Sequence, residues 1–168
     1  MKLWERVIEH RLRQNVSISE NQFGFMPGRS TIEAIHLLRQ LIERFRERRN
    51  LHMIFIDLEK AYDKVSREVL WWTLMKKGVS IKYIDIIKDM FDGVMTNIRT
   101  CRGITSDFSI TIELHQGSVL CPFLFVILMD ELIRTIQNEI PWCILFADDI
   151  ILVDEMRAEV NVKLELWR

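Results

Sequence analysis

The chain has 168 residues, of which 49% are hydrophobic and 28% are charged, and its formal net charge is −1. One domain of ordinary size with a packed core fits these numbers, which exclude a disordered or fibrous protein. They also exclude a uniformly basic surface, so a nucleic-acid partner would have to be held by a local patch.

Helical periodicity predicts two helices in the first third of the chain. The first covers residues 2–13, and a loop with two glycines and a proline follows at 21–29. Ser30 and Glu33 have capping-box spacing, so we expect the second helix to run from there to about residue 49. The predicted buried faces are Leu3, Trp4, Val7, Ile8 and Leu12 in the first helix, and Ile32, Ile35, Leu38, Leu41, Ile42 and Phe45 in the second.

The rest of the chain alternates between predicted strands and helices. The expected elements are a buried strand at 51–57, helices at 66–77 and 80–93, a hairpin of 96–102 with 108–114 around Gly103, an apolar helix from Pro122 to about Glu139, a tight β-hairpin at 142–153 and a helix from Glu155. This order predicts an α+β fold, with a small antiparallel sheet and helices packed on one face.

Cysteine usage and hydropathy favour an intracellular protein. Cys101, Cys121 and Cys143 are isolated and form neither a CxxC pair nor a zinc set. The charged N-terminus does not have the pattern of a signal peptide, and the most apolar stretch, residues 119–129, is too short to span a bilayer. We therefore expect a reduced protein in the cytoplasm or nucleus, without a membrane partner.

Two adjacent acids, Asp148 and Asp149, stand between apolar runs in the last predicted hairpin. Like charges this close to a core resist ionisation, and a divalent cation would relieve the repulsion, although such residues also occur at hairpin tips for turn reasons alone. Asp57 ends the strand at 51–57, where a simple strand terminus or helix cap is the alternative. An antiparallel sheet can bring the three carboxylates together, and such a set suits two Mg²⁺ ions engaged in phosphoryl transfer.

Four segments resemble, in order and spacing, motifs of reverse transcriptases of the LINE (non-LTR retrotransposon) type. They are NQFGFMPGRST (21–31), FIDLEKAYDKV (55–65), LHQGSVLCPFLF (114–125) and LFADDIILV (145–153). The resemblance covers essentially the whole chain and is closest to plant LINE-like elements. It implies a polymerase palm whose small antiparallel sheet is backed by helices, with a fingers remnant at about 1–50, a C-terminally truncated palm at about 51–168, and no thumb.

The resemblance also implies roles for individual residues. Asp57 and Asp148 match the acids that hold both metal ions, Asp149 matches the second acid of the pair, and the backbone carbonyl of Leu58 matches a further ligand. The other implied positions are Tyr62, Gln116 and Gly117 at the nucleotide, and Arg29, Phe146 and Ala147 at primer or template. In the family the aromatic ring matched by Tyr62 would clash with a 2′-hydroxyl, whereas by itself Tyr62 would be read as a core aromatic.

The implied function is RNA-directed DNA synthesis from an RNA template, a DNA primer and dNTPs, with two Mg²⁺ ions or Mn²⁺ as an alternative. Two other functions stay open: a retroelement fragment without catalysis, and a domesticated nucleic-acid-binding module. The nucleic-acid-binding module would use the arginines of the second predicted helix, which are Arg39, Arg44, Arg46, Arg48 and Arg49. The chain departs from the family at Glu113, where glycine is usual and a carboxylate could repel the triphosphate, and at Cys121, where serine is common.

Overall fold

A computed structural model of the chain describes residues 2–46, 50–109, 114, 117–134 and 142–165. The elements in this part of the chain are α1 (Lys2–Asn15), α2 (Thr31–Phe45), β1 (His52–Asp57), a 3-10 turn (Tyr62–Lys64), α3 (Arg67–Lys76), α4 (Ile81–Phe91), β2 (Met95–Thr96), β3 (Arg99–Thr100), β4 (Gly103–Ile104), β5 (Phe108–Ser109), α5 (Cys121–Leu132), β6 (Cys143–Phe146), β7 (Asp149–Asp154) and α6 (Arg157–Glu165). The predicted α+β character is confirmed.

A three-stranded antiparallel sheet has the strand order β1-β7-β6. Phe146 pairs with Asp149 across the β6–β7 hairpin, so the connecting turn consists of only Ala147 and Asp148. Ala147 adopts a left-handed conformation with φ of +59°, which tight hairpin turns require. The tight hairpin predicted at 142–153 is therefore confirmed, and β1 lies beside its second strand.

Apolar side chains cover both faces of the β6–β7 hairpin, whereas no residue of β1 is buried, so the prediction of a buried strand at 51–57 is wrong in that respect. Leu145, Ile150 and Leu152 belong to the main core, which also contains residues of α1, α3, α4 and α5. On the other face, Phe23 and Ala34 pack with Ile144 in a smaller cluster that brings α2 onto the sheet. Strands that are covered on both faces read as continuous apolar runs, which explains the sequence of this hairpin.

Helix α5 lies at the centre of the main core. Every residue from Phe123 to Glu131 is buried, as expected for a helix that is apolar all round. Pro122 lies in its first turn, where a missing backbone N–H costs nothing. The helix ends at Leu132, and most of its predicted continuation to Glu139 falls on residues outside the described ranges.

The predicted buried faces of α1 and α2 are wrong in part. In α2, Ile32, Ile35 and Ile42 are 78%, 43% and 50% exposed, whereas Ala34 and Leu41 are buried. The sheet packs against the face of α2 that carries Ala34, so only part of the wide apolar face of this helix is covered. Likewise in α1, Ile8 and Leu12 are buried, but three other predicted core residues are exposed: Leu3, Trp4 and Val7.

The hairpin predicted around Gly103 is confirmed, although its ladders are short. Next to the turn, β3 pairs with β4, with Arg99 opposite Ile104. Farther from the turn, β2 pairs with β5, with Met95 opposite Ser109. The end of the second predicted arm, residues 110–113, lies outside the described ranges.

Several charged side chains are buried where α3 meets α5. Asp130 is 2% exposed and accepts hydrogen bonds from the Lys77 ammonium and from the Ser19 hydroxyl and backbone N–H. The neighbouring Glu131 forms an ion pair with Lys76 at 2.8 Å. Buried carboxylates are stable only when they are paired in this way. The network ties α3 and the segment after α1 to the central helix.

In the described part of the chain, no helix is long and apolar enough to span a membrane. All three cysteines are free thiols: Cys121 and Cys143 are buried, and Cys101 is exposed. Burial raises the pKa of the Cys143 thiol to about 11, which makes it a poor nucleophile.

Candidate active site

The register of the sheet brings together the three acids singled out in the sequence. Asp57 is the last residue of β1 and is the direct cross-strand partner of Asp149, the first residue of β7. Directly opposed residues in an antiparallel pair project from the same face of the sheet. Asp148 precedes Asp149 in the turn, and its backbone carbonyl accepts a hydrogen bond of 3.4 Å from the N–H of Leu58. The three acids therefore share one corner of the sheet.

The three carboxylates also interact electrostatically. Burial raises the pKa of Asp149 above its ordinary value, and the charges of Asp148 and Asp57 raise it further. Asp57 and Asp149 are nevertheless exposed, and Asp148 is half-buried, so solvent and ligands can reach the group. Such mutual repulsion at an accessible corner is the condition that a divalent cation would relieve.

The acidic corner offers oxygen ligands, which hard divalent cations prefer, but these ligands do not form a closed metal cage. Among the residues that the structure describes, no three or more His, Cys, Asp or Glu side chains are arranged to enclose a metal ion. Mg²⁺ does not need such an enclosure, because it retains several waters and binds one or two carboxylates together with substrate phosphates. Asp57, Asp148 and the backbone of Leu58 lie at this corner of the sheet.

Tyr62 lies close to the acidic corner. Its ring stacks on Phe125 with the centroids 4.4 Å apart, and Phe25 meets it edge-on at 6.3 Å. Burial raises the pKa of the Tyr62 phenol, and the charge of Asp148 contributes to the same shift. The hydroxyl is buried and has no hydrogen-bond partner among the described residues. The ring is therefore held in place near Asp148 with its hydroxyl enclosed.

The predicted nucleotide loop is only partly described. Gly117 has a φ of +85°, which favours glycine, whereas Gln116 and the unusual Glu113 lie outside the described ranges. Glu5, a residue that the sequence analysis missed, anchors the loop from α1. Its carboxylate accepts hydrogen bonds from the Ser118 hydroxyl at 2.8 Å and from the Val119 N–H at 2.7 Å. The signal that could have identified Glu5 is an acid at a helix position adjoining the buried face.

The residues predicted to contact primer or template do not form one group. Phe146 is half-buried in the cluster beneath α2, and Ala147 is buried in the β6–β7 turn. Arg29 is held within its own segment, because it pairs with Glu33 at 3.0 Å and its guanidinium stacks on the Phe23 ring at 4.7 Å. It therefore presents only part of its surface to solvent.

A cavity of about 280 Å³ adjoins the acids. Asp57 and Asp149 line it together with apolar residues of α2, β1 and the β6–β7 hairpin, including Phe55 and Phe146. Phe55 is 68% exposed, so this face of the sheet is open. Arg39 and Arg44 of α2 are exposed, as is Arg46 at the C-cap of this helix, whereas Arg48 and Arg49 fall outside the described ranges.

A short segment before α2 lies against the edge strand of the sheet, which sequence patterns did not indicate. The N–H of Phe23 donates to the carbonyl of Leu145 at 2.8 Å, and the N–H of Leu145 donates to the carbonyl of Asn21 at 2.9 Å. Gln22 thus forms a parallel bridge with Leu145. The segment places its backbone next to the strand that leads into the acidic turn.

Comparison with known proteins gives a consistent result. The family described as reverse transcriptase (RNA-dependent DNA polymerase) matches residues 1–167. The chain is 29% identical over 136 residues to the probable RNA-directed DNA polymerase from transposon BS of Drosophila melanogaster. It is 24% identical over 168 residues to the retrovirus-related Pol polyprotein from type-2 retrotransposable element R2DM of the same species. These matches cover 78% and 95% of the chain but only 15% and 16% of the relatives.

Solved structures show the same fold. The telomerase from Candida albicans in complex with a fragment of telomeric RNA matches with a TM-score of 0.70 and 14% identity, covering 98% of the chain and 30% of the telomerase. An apo telomerase from Candida tropicalis, truncated from its C-terminal domain, matches with a TM-score of 0.66 and 14% identity, covering 97% of the chain and 35% of the telomerase. The fold is therefore that of a polymerase palm. The predicted closeness to plant elements stays a prediction, because the relatives described here are insect proteins.

Proposed function

Because the chain belongs to the reverse transcriptase family, we propose that it forms the palm of an RNA-directed DNA polymerase of a non-LTR retrotransposon. The single observation that carries the proposal is the register that pairs Asp57 with Asp149 beside the turn containing Asp148. The names of the relatives support it, since they include an RNA-directed DNA polymerase and the Pol polyprotein of a retrotransposable element.

The proposed reaction transfers one nucleotide from a dNTP to the 3′ end of a DNA primer, directed by an RNA template. The primer 3′-hydroxyl loses its proton to solvent and its oxygen attacks the α-phosphorus in line, while the bond from that phosphorus to the bridging oxygen breaks and its electron pair leaves with pyrophosphate. A neighbour solved with a telomeric RNA fragment supports RNA as a partner. Catalysis of this kind consists mainly of positioning and charge stabilisation.

We assign Asp57, Asp148 and the Leu58 carbonyl to the binding of two Mg²⁺ ions, with Asp149 in a supporting role; Mn²⁺ could replace Mg²⁺. When bound, the ions supply positive charge at the attacking and leaving oxygens. The chain contributes the negative charge that holds them at one corner of the sheet. Asp149 has a raised pKa and gives up its proton less readily than an isolated aspartate, so the site gains from a cation's positive charge.

The remaining assignments rest on the reverse transcriptase motifs that these residues match. Tyr62, Gln116 and Gly117 are proposed to contact the incoming nucleotide, Phe146 and Ala147 the primer end, and Arg29 the template. Residues 1–50 and 51–168 are proposed as fingers and palm parts. However, α1 shares the main core with α3, α4 and α5, which favours assigning that helix to the palm.

The test is primer extension on an RNA template with dNTPs and Mg²⁺. The protein is assayed both alone and within a chimaera in which it replaces the matching segment of the R2DM polyprotein, because the alignment covers only 16% of that relative. Metal-dependent extension by the chimaera is the expected result. If the chimaera binds RNA but does not extend the primer, the nucleic-acid-binding function gains support instead. The exposed arginines of α2 would then be its basis.

Tyr62→Ala is expected to weaken discrimination between dNTPs and ribonucleotides by at least about tenfold, since the ring would no longer occupy the space of a 2′-hydroxyl. The ratio of the two kcat/KM values, measured within each variant, cancels any general loss of activity. Tyr62→Phe should keep the parent ratio because it keeps the ring. The other tyrosine, Tyr83, lies on α4 and is hydrogen-bonded to Arg11 at 3.2 Å, so Tyr83→Ala is the matched control. Unchanged sugar discrimination in Tyr62→Ala would remove the gate role.

A further inference from the structure

Gly24 differs from the other glycines of the chain in the reason for its presence. Gly28, Gly78, Gly93, Gly103 and Gly117 all have positive φ angles, and a Cβ added to any of them would meet no atom within 4 Å. Gly24 is not in the positive-φ region, but an added Cβ would lie 2.2 Å from the backbone nitrogen of Ala147. Glycine is therefore required here by close contact rather than by backbone conformation.

The contact of Gly24 falls on the peptide group that leads into the acidic turn. The same added Cβ would lie 2.9 Å from the carbonyl carbon of Phe146 and 3.0 Å from the Cα of Ala147. Ala147 holds a left-handed φ of +59°, which is unfavourable for a non-glycine residue and persists only where its surroundings enforce it. The next residue is Asp148, so the position of this peptide sets the position of a proposed metal ligand.

Three hydrogen bonds hold the segment of Gly24 in place. Two join it to the edge strand, from Phe23 to Leu145 at 2.8 Å and from Leu145 to Asn21 at 2.9 Å. The third is internal: the N–H of Gly24 donates to the side-chain carbonyl of Gln22 at 3.2 Å. Gln22 is only 1% exposed, and its amide nitrogen is buried without a hydrogen-bond partner among the described residues. Within this buried side chain the carbonyl is therefore used for the contact with Gly24, whereas the amide nitrogen is not satisfied by a described residue.

We propose that residues 21–24 form a backbone clamp that fixes the Phe146–Ala147 peptide and so positions Asp148 for metal binding. Gly24 and Gln22 are positioning residues in this account, since neither touches substrate or metal. The proposal rests on the proposed function for the role of Asp148. It adds that the segment before α2 determines the geometry of the catalytic turn, although Gly24 and Asp148 are 148 − 24 = 124 positions apart in the sequence.

The test compares Gly24→Ala with the matched control Gly28→Ala in the same segment, using Mn²⁺ as the probe. A methyl group at Gly24 must push the turn by about 1 Å to reach an ordinary contact distance, and loss of such supporting contacts weakens metal binding by about 10–100-fold. We therefore expect Mn²⁺ to bind Gly24→Ala at least about tenfold more weakly than the parent. Gly28→Ala introduces strain but no contact, so its Mn²⁺ affinity should stay within about twofold of the parent.

Amide hydrogen exchange in the metal-free protein provides a second readout that needs no activity. The Leu145 amide should exchange at least about tenfold faster in Gly24→Ala, while amides of α5 keep their parent rates. If Gly24→Ala does not fold, Gln22→Met decides. This variant keeps the volume of the side chain and removes the acceptor for Gly24. We expect it, too, to bind Mn²⁺ more weakly and to exchange the Leu145 amide faster than the parent. Parent-like Mn²⁺ affinity and Leu145 exchange in the folded variants would overturn the clamp.

The two proposals fail in different ways. If the parent itself binds no Mn²⁺, the metal assignment fails, and the exchange rate of Leu145 alone decides the clamp. Faster exchange in Gly24→Ala but not in Gly28→Ala would then support the clamp on the Phe146–Ala147 peptide and overturn its metal-binding role, and equal rates would overturn both.

Discussion

Replacement of Asp148 by asparagine is expected to slow primer extension by about a thousandfold or more while the protein stays folded. Asparagine has nearly the same shape but no charge, so the variant loses the attraction that holds a cation where charge develops in the reaction. Asp148 is half-buried in a two-residue turn, and asparagine is tolerated in such turns. The measurement is the single-turnover rate of nucleotide addition on an RNA template at saturating Mg²⁺.

A matched control separates this effect from a general effect of removing a carboxylate. Asp85 is exposed on α4 and makes only a long ion pair of 3.9 Å with Lys88, so Asp85→Asn should extend primers at the parent rate. Asp57→Asn should resemble Asp148→Asn, because the register brings Asp57 to the same corner of the sheet. An Asp148→Asn variant that extends as fast as Asp85→Asn would show that the acidic turn is not the catalytic centre.

The second large expected effect concerns stability. Asp130→Asn should lower the free energy of unfolding at pH 7 by about 2 kcal/mol or more, because it leaves the Lys77 ammonium with a neutral amide and the longer ion pair of 3.8 Å to Glu131. The Lys77 side chain is 14% exposed and the Asp130 side chain is 3% exposed, so water compensates little. Urea denaturation measures the loss. The double variant Asp130→Asn with Lys77→Met should recover part of it, since removing both partners of a buried pair costs less than removing one.

The contribution of Asp130 should depend on pH in a defined direction. Burial by itself would raise the pKa of Asp130, but hydrogen bonds from Lys77 and Ser19 outweigh it and hold the pKa below its ordinary value. A depressed folded-state pKa stabilises the protein above the unfolded-state value of about 3.9, and the contribution is lost as pH falls through the folded-state value. The stability difference between parent and Asp130→Asn should therefore be full at pH 7 and shrink below about pH 4. A difference that grows on acidification would contradict this account.

Local patterns predicted the elements better than they predicted burial. The apolar runs around Asp148 and Asp149 specified a tight hairpin because only a two-residue turn fits between them, and Gly78 marked the end of α3 with a φ of +75°. The exposed Ile32 and Ile35 of α2 were not predictable in this way. Helical periodicity gives the width of an apolar face, whereas the part of it that is covered depends on which element packs there.

The residues of the candidate site were likewise predictable from the sequence only in part. The three acids carry a signal in the sequence, because adjacent charges beside a core require a physical explanation, and antiparallel pairing then brings Asp57 to the turn. Glu5 and Gly24 each contact a residue more than 100 positions away in sequence. The buried Glu5 carboxylate accepts a hydrogen bond from Ser118, and the backbone of Gly24 lies against Ala147. Neither contact follows from local propensity, since each depends on how distant segments pack. Cys121 is buried at the start of α5, where a small, weakly polar thiol packs into the apolar core.

The most direct test of the central claim is a crystal structure of the protein soaked in Mn²⁺, with the ion located by its anomalous scattering. The assignment predicts a peak within about 2.3 Å of carboxylate oxygens from both Asp57 and Asp148, a distance typical of such oxygen ligands. The same soak of Asp148→Asn should lose that peak. Ordered Asp57 and Asp148 carboxylates with no anomalous peak between them would contradict the proposed metal site and the polymerase function that depends on it.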